Sequence, residues 1–291
     1  MTDLSLAIHF GLKQVVENIL SEEHTDFNIE DESGLALSVA CITGQSDIVA
    51  LLLNKGANCN ALHCHGQSPF IPPHFSNLHD LHGTALHTAT YFGRHDIVSM
   101  LLENGADVNI NGCEGPALNI ASRQGNLDII LDLLKWGADV NLNPKGFPTP
   151  LAEACYRGSR EIVKVLLENG ADATTIRGYY DGSAINGASD YGNQGVDELV
   201  ERLPKHKVDF DFLAAKGGST ALRAAASQGH REIVGLLLNH GADITMRGEG
   251  GYLNRGWRWY KGTALDAATK EGPTEIIEIL AEKEAEVRSS T

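Results

Sequence analysis

The chain has 291 residues, with 38 acidic against 23 basic side chains and a formal net charge of −15. A surface of that sign repels phosphates, which excludes nucleic acid and anionic membrane as general partners. No run of about 18 apolar residues occurs and Met1–Ser5 lacks the basic start of a secretory leader, so a soluble, unsecreted protein is expected.

In chain order, one frame recurs eight times, once in degenerate form: an alanine, a glycine four residues later, and two apolar residues four and five after that glycine. The glycines are Gly11, Gly44, Gly93, Gly125, Gly158, Gly192, Gly229 and Gly272. Their period near 33 residues marks stacked helical repeats rather than separate globular folds. The predicted repeats span about 3–32, 33–60, 83–114, 115–146, 147–181, 182–217, 218–248 and 262–288, with insertions at 61–82 and 249–261. Together they form one domain, 1–291.

Repeat 1 places Lys13, Gln14, Glu17 and Asn18 on its second helix, and repeat 8 ends in Glu278, Glu282, Lys283 and Glu284. These are the polar caps that exposed end repeats need. Repeats 2 and 5 carry Cys41 and Cys155 three residues before the glycine, where small residues pack. With an odd total of five cysteines, the sequence predicts buried thiols in a reducing compartment, cytoplasmic with the nucleus open. The insertion 61–82 holds His63, Cys64, His65, His74, His79 and His82 among Pro69, Pro72 and Pro73. It lacks a Cys-x-x-Cys pair or a helical His-x-x-x-His, so a solvated or partner-contacting loop is expected and no metal.

In repeats 3, 7 and 8, Thr84, Thr220 and Thr263 are predicted helix caps, with Leu86, Leu222 and Leu265 turned inward. Most second helices open with an acid, such as Asp47, Asp96 or Glu161, which suits the positive end of the helix dipole. Repeat 6 departs from the frame. Asp197 and Glu201 replace apolar residues, Gly195 weakens the helix start and Pro204 cuts it short. It is either a degenerate unit held by its neighbours, or a soft joint or specialised surface.

The best copies run from Gly83-Thr84-Ala85-Leu86-His87 to Gly105-Ala106-Asp107-Val108-Asn109, and from Thr149-Pro150-Leu151 to Gly170-Ala171-Asp172. They resemble the ankyrin repeat, and the finger wording is similar to ankyrin proteins of filamentous fungi, some encoded beside metabolic genes. The resemblance implies an all-α ankyrin-repeat solenoid of about eight helix-turn-helix repeats with hairpin fingers. It places His87 in a structural hydrogen-bonding slot.

It further implies that a partner is held by the concave face, formed by the fingers and by the two residues before each turn glycine. Here those pairs run from His9/Phe10 through Tyr91/Phe92, Arg123/Gln124, Tyr156/Arg157 and Asp190/Tyr191 to Lys270/Glu271. Tyr91, Phe92, Arg123, Tyr156, Arg157 and Tyr191 are therefore the candidate contacts, because tyrosine and arginine dominate binding hot spots. The fingers add Arg177, Tyr179, Tyr180, Trp257, Arg258, Trp259 and Tyr260. From Arg247 to Lys261 there are four basic residues and one acid, which suits an acidic peptide or a carboxylated ligand. The alternative for this finger is self-packing of Trp257 and Trp259 over repeats 7 and 8.

Phosphate-loop, dinucleotide, zinc-protease and serine-hydrolase signatures do not occur. The expected function is a non-catalytic, monomeric, intracellular protein-interaction module without cofactor. The second reading is a small-molecule binder or unusual enzyme of fungal secondary metabolism, with Glu153, Tyr156 and Arg157 in a pocket between groove and fingers.

Overall fold

The computed structural model describes residues 3–22, 36–64, 82–142, 147–173, 175, 184–185, 189, 220–248, 251–253, 256–258 and 262–290. Two compact units divide the chain, Met1–Pro144 and Lys145–Thr291. Among the described residues the secondary structure is fourteen helices and three two-stranded fingers.

The first unit contains α1 (Asp3–His9), α2 (Lys13–Leu20), α3 (Ala36–Thr43), α4 (Ser46–Asn54), α5 (Ala85–Tyr91), α6 (His95–Glu103), α7 (Ala117–Gln124) and α8 (Leu127–Lys135). The odd-numbered helices pack on one another in sequence, and so do the even-numbered ones. Strands β1 (His63–Cys64) and β2 (His82–Gly83) close the ends of the first insertion, pairing His63 with Gly83 and Cys64 with His82. Strands β3 (Asn111–Gly112) and β4 (Gly115–Pro116) make the next finger. The second unit holds α9 (Pro150–Arg157), α10 (Arg160–Glu168), α11 (Ala221–Gln228), α12 (Arg231–Asn239), α13 (Ala264–Glu271) and α14 (Thr274–Ser290), with the finger β5 (Gly251–Leu253) and β6 (Gly256–Arg258) before α13.

Caps and periodicity fix these helices. Thr149 accepts from Ala152 N at 3.1 Å, Thr220 from Arg223 N at 3.1 Å and Thr263 from Asp266 N at 3.3 Å. Each satisfies a first-turn donor that the helix itself leaves unpaired. On α6, Ile97, Val98, Leu101 and Leu102 are at most 1% exposed, which puts the apolar stripe into the core. The framing alanines Ala40, Ala89, Ala121, Ala154, Ala225 and Ala268 are fully buried, so neighbouring helices approach without a larger side chain between them.

The turn glycine answers to two demands. At Gly44, φ is +75°, and an added Cβ would stand 2.9 Å from the Arg94 guanidinium, which reaches back from the next repeat. Arg94 Nη2 donates to the Ile42 carbonyl at 3.3 Å, as Gln45 Nε2 donates to the His9 carbonyl at 3.4 Å. Gly11, Gly93, Gly125, Gly158 and Gly229 share this left-handed turn, and among the described anchors only Gly272 departs from it, with φ −87° and ψ 165°. Pro273 follows and drives the preceding residue into the extended region. Glycine is still required there, because a Cβ would lie 2.6 Å from the Ala226 carbonyl oxygen.

The loops after the second helices are stitched by asparagine. Asn60 Nδ2 donates to Gly105 O at 3.1 Å while its Oδ1 accepts from Asp107 N at 2.8 Å. Asn109 repeats the pattern with Gly137 O and Asp139 N at 3.1 and 2.8 Å. Asn109→Ala removes both bonds across one repeat junction. It is expected to lower stability by about 1–2 kcal/mol in urea unfolding, against near-zero for the exposed Glu103→Ala.

Expectations for the end repeats hold in part. Lys13, Gln14 and Asn18 are exposed, as are Glu278, Glu282 and Lys283. Leu12 and Val15, however, are also exposed, at 49% and 43%. Leu265 is only half-buried, where Leu222 is 1% exposed in the same slot. Of repeat 6, only Ala184, Ile185 and Ser189 are described, all buried, and the soft-joint reading of Gly195 to Pro204 lies outside the described residues.

Candidate partner-binding surface

The residue pairs before the turn glycines close the C-terminal ends of the first helices. In repeat 3, Tyr91 is the last residue of α5 and Phe92 is its C-cap. Their rings meet edge to face, with centroids 5.4 Å apart and planes at 68°. His9 and Phe10 do the same in repeat 1 at 5.0 Å and 80°. Such a pair contributes about 0.5–1.5 kcal/mol, and it holds the rings before any ligand arrives. Tyr91 and Phe92 remain half-exposed. Phe10 is 67% exposed, and its place in the same register was a signal that a choice of the middle repeats alone passes over.

In repeat 4 the site is differently built. Arg123 Nη2 donates to Glu114 Oε2 at 2.5 Å, tying the end of α7 to the turn of the β3–β4 finger. Its charge is thus met by the protein's own carboxylate. In the second unit Tyr156 is 41% exposed at the end of α9 and Arg157 is exposed beside it, while Glu153, one turn earlier, is 9% exposed.

Tyr179, Tyr180, Arg177, Tyr191, Trp259 and Tyr260 lie outside the described residues. Trp257 and Arg258 fall on β6, where the backbone register sets Trp257 opposite Tyr252 and Arg258 opposite Gly251. The Gly248–Gly262 bridge joins the base of this finger. Further apolar exposure occurs on α8 and its cap, with Leu131 and Trp136 each 46% exposed. The sequence signal for it is the polar character of the aligned positions, which hold Asn104, Asn169 and His240 where Trp136 stands.

His87 is structural, as its slot implies. Its Nδ1 accepts from Thr84 N at 3.1 Å and its Nε2 lies 3.0 Å from the Ile110 carbonyl, so a helix cap and the following finger are joined through one neutral ring. Burial lowers its pKa from 6.5 to about 4, outweighing the carbonyl contacts that favour the charged form. Burial also raises the Cys41 and Cys155 thiols far above their ordinary range, so neither is a nucleophile. Among the described residues no three His, Cys, Asp or Glu side chains gather to hold a metal ion, and His65, His74 and His79 lie outside that set. Among the same residues no helix is long and apolar enough to cross a membrane.

The family profile described as ankyrin repeats in three copies matches residues 4–112, 71–144, 113–177, 151–248 and 185–291. The chain is an ankyrin-repeat protein. Solved structures agree: the human ASB11 ankyrin repeat domain superposes with a TM-score of 0.61 at 25% identity, covering 84% of this chain and 96% of that one. The ankyrin repeat domain of Bcl-3, described as a unique member of the IkappaB protein family, gives 0.62 at 25% identity over 82% and 98%. Among curated proteins, the ankyrin-repeat protein is 38% identical over 93 residues to the E3 ubiquitin-protein ligase XBAT33 of Arabidopsis thaliana, 32% of this chain and 17% of the ligase. It is 35% identical over 85 residues to the mouse ankyrin repeat and SAM domain-containing protein 6, 28% of this chain and 8% of that protein. The match thus spans less than a fifth of either relative. As a class, ankyrin-repeat domains mediate protein–protein interaction.

Proposed function

We propose that this ankyrin-repeat protein is a non-catalytic interaction module that grips a protein partner through the residues before its turn glycines and through its fingers. The observation that carries the reading is the recurrence of partly exposed aromatic side chains at one register: Phe10, Tyr91, Phe92 and Tyr156. On the first helices of repeats 2 to 5 and 7 the residues before that pair of positions are buried, so the pair is what those helices offer a partner. Large amphipathic rings supply contact area at little entropic cost.

The partner is acidic in its contact segment. Arg157 is exposed, and Arg247, Arg255, Arg258 and Lys261 outnumber Glu249 in and beside the last finger of an otherwise acidic chain. Arg123, met by Glu114, supports the finger rather than the partner. Cys41 and Cys155, both buried and in no disulfide, fit action in a reducing compartment such as the cytoplasm.

The test is affinity capture from the native cell with wild type beside Tyr156→Ala/Arg157→Ala. Both residues are exposed, so stability is expected to change by no more than about 1 kcal/mol. A protein recovered with wild type and lost with the double variant is the expected result. Equal recovery of every bound protein would count against this surface.

A further inference from the structure

The residue directly after the turn glycine reaches back toward the preceding repeat, and a neutral amide suffices for that. In repeat 2, Gln45 Nε2 donates to the His9 carbonyl at 3.4 Å. In repeat 4 the position holds Asn126, whose Nδ2 lies 3.4 Å from where a Cβ on Gly93 would stand. Repeat 3 has Arg94 instead, with Nη2 donating to the Ile42 carbonyl at 3.3 Å. The bond is one that an amide also makes, so the positive charge is surplus to it.

That charge is unmatched. Arg94 is half-buried, and among the described residues it meets no carboxylate. Arg123, Arg231 and Arg288 by contrast each pair with a glutamate. Acids close to Arg94 or to its target turn are engaged elsewhere: Asp96 accepts from Ser46 Oγ, and Asp47 pairs with Lys13. The donors of Arg94 are unsatisfied too, because its Nε is buried without a hydrogen-bond partner. A guanidinium presents five N–H groups in a planar fork that suits a carboxylate, and holding one partly desolvated without an anion is unfavourable.

Its position ties it to the aromatic register. Tyr91, Phe92 and Arg94 flank one turn glycine, Gly93, and all three are partly exposed. The second unit repeats the combination at Gly158. There Tyr156 and Arg157 are exposed, and Arg157 likewise meets no carboxylate among the described residues.

We propose that Arg94 is a carboxylate-binding residue of the partner surface, receiving an Asp or Glu side chain of the partner whose apolar neighbour meets Tyr91 and Phe92. The assignment rests on the interaction role proposed above. It adds an acid-specific contact in the first unit, where Arg123 is already held by Glu114. The carboxylate accepts from two N–H groups of the fork and brings the counter-charge that the fold does not supply. A lysine at this position would offer the charge without the fork, and a glutamine would keep a donor for the Ile42 carbonyl without the charge.

The test pans a displayed library of random peptides on the full chain. The selected peptides, synthesised, are then titrated against wild type, Arg94→Gln, Arg94→Lys and Tyr91→Ala/Phe92→Ala. Wild type is expected to select peptides with an Asp or Glu beside an apolar residue. Arg94→Gln, at an unchanged melting temperature, should bind them about tenfold more weakly, and Arg94→Lys should recover part of the loss. Replacing the peptide's acid by its amide should weaken wild type to the same extent and leave Arg94→Gln unaffected, which sets that acid on Arg94. Peptides that need Tyr91 and Phe92 but bind Arg94→Gln as tightly as wild type would overturn the assignment and leave the aromatic surface standing. Selection of no peptide that depends on those rings would overturn both. Should Arg94→Gln melt early, the peptides decide alone: equal affinity of acid and amide forms for wild type would overturn the assignment.

Discussion

Leu222→Ala is expected to lower the stability of the second unit by about 2–5 kcal/mol, while Leu265→Ala, the same substitution in the same helical slot, costs about 1 kcal/mol. Leu222 is 1% exposed on α11, which packs against both α12 and α13. Removing its branched end there leaves a cavity walled by two helices. Leu265 on α13 is half-buried, so its truncation gives up less covered surface and water fills the space. The contrast follows from stability held in junctions between neighbours rather than in one central core. Urea unfolding of both variants measures it, and equal losses would contradict a nearest-neighbour architecture.

Acid is expected to weaken the first unit through His87. In the unfolded chain this histidine takes a proton near pH 6.5, whereas in the fold burial delays it to about 4. Between those values the unfolded state binds more protons, so stability falls as pH falls. The contribution is complete above pH 6.5, and about 3 kcal/mol of it is lost by pH 4, from the 1.36 kcal/mol that each unit of separation represents. The protonated ring would also forfeit the bond that Nδ1 accepts from Thr84 N. His87→Asn, the residue that fills this slot as Asn119 in the next repeat, is expected to flatten the dependence. Stability measured at intervals from pH 7 to 4 checks both. A wild-type profile no steeper than the variant's would show that His87 does not titrate across this range.

These effects separate what a sequence can and cannot disclose in a repeat fold. The helices were legible because threonine caps, alanines, turn glycines and paired apolar residues recur at fixed spacing, and each answers to a local constraint. His87 was legible for the same reason, as the third residue of a capped helix. Arg123 was not, because its carboxylate partner lies nine residues away on a finger turn whose geometry no periodicity encodes. Gln45 and Arg94 read as loop residues until the preceding carbonyl stands within their reach. Val15 illustrates the converse. Its residue type matches the buried Ile48, Ile97 and Ile129 of later repeats, yet it is 43% exposed. Gly272 kept the motif but not its left-handed turn, and the cause, Pro273, was written beside it. Aromatic residues before the glycines were visible as a register, but their exposure, from half-buried Tyr91 to Phe10 at 67%, belongs to the packing around them.

The central claim is that the aromatic register binds a protein while leaving the fold intact. Calorimetric titration of the captured partner against wild type, Tyr91→Ala/Phe92→Ala and Tyr156→Ala/Arg157→Ala tests it most directly. Each double variant is expected to lose about 2 kcal/mol of binding, roughly thirtyfold in affinity, with the Tyr156 variant keeping its melting temperature. Unchanged affinity in both variants would contradict the account.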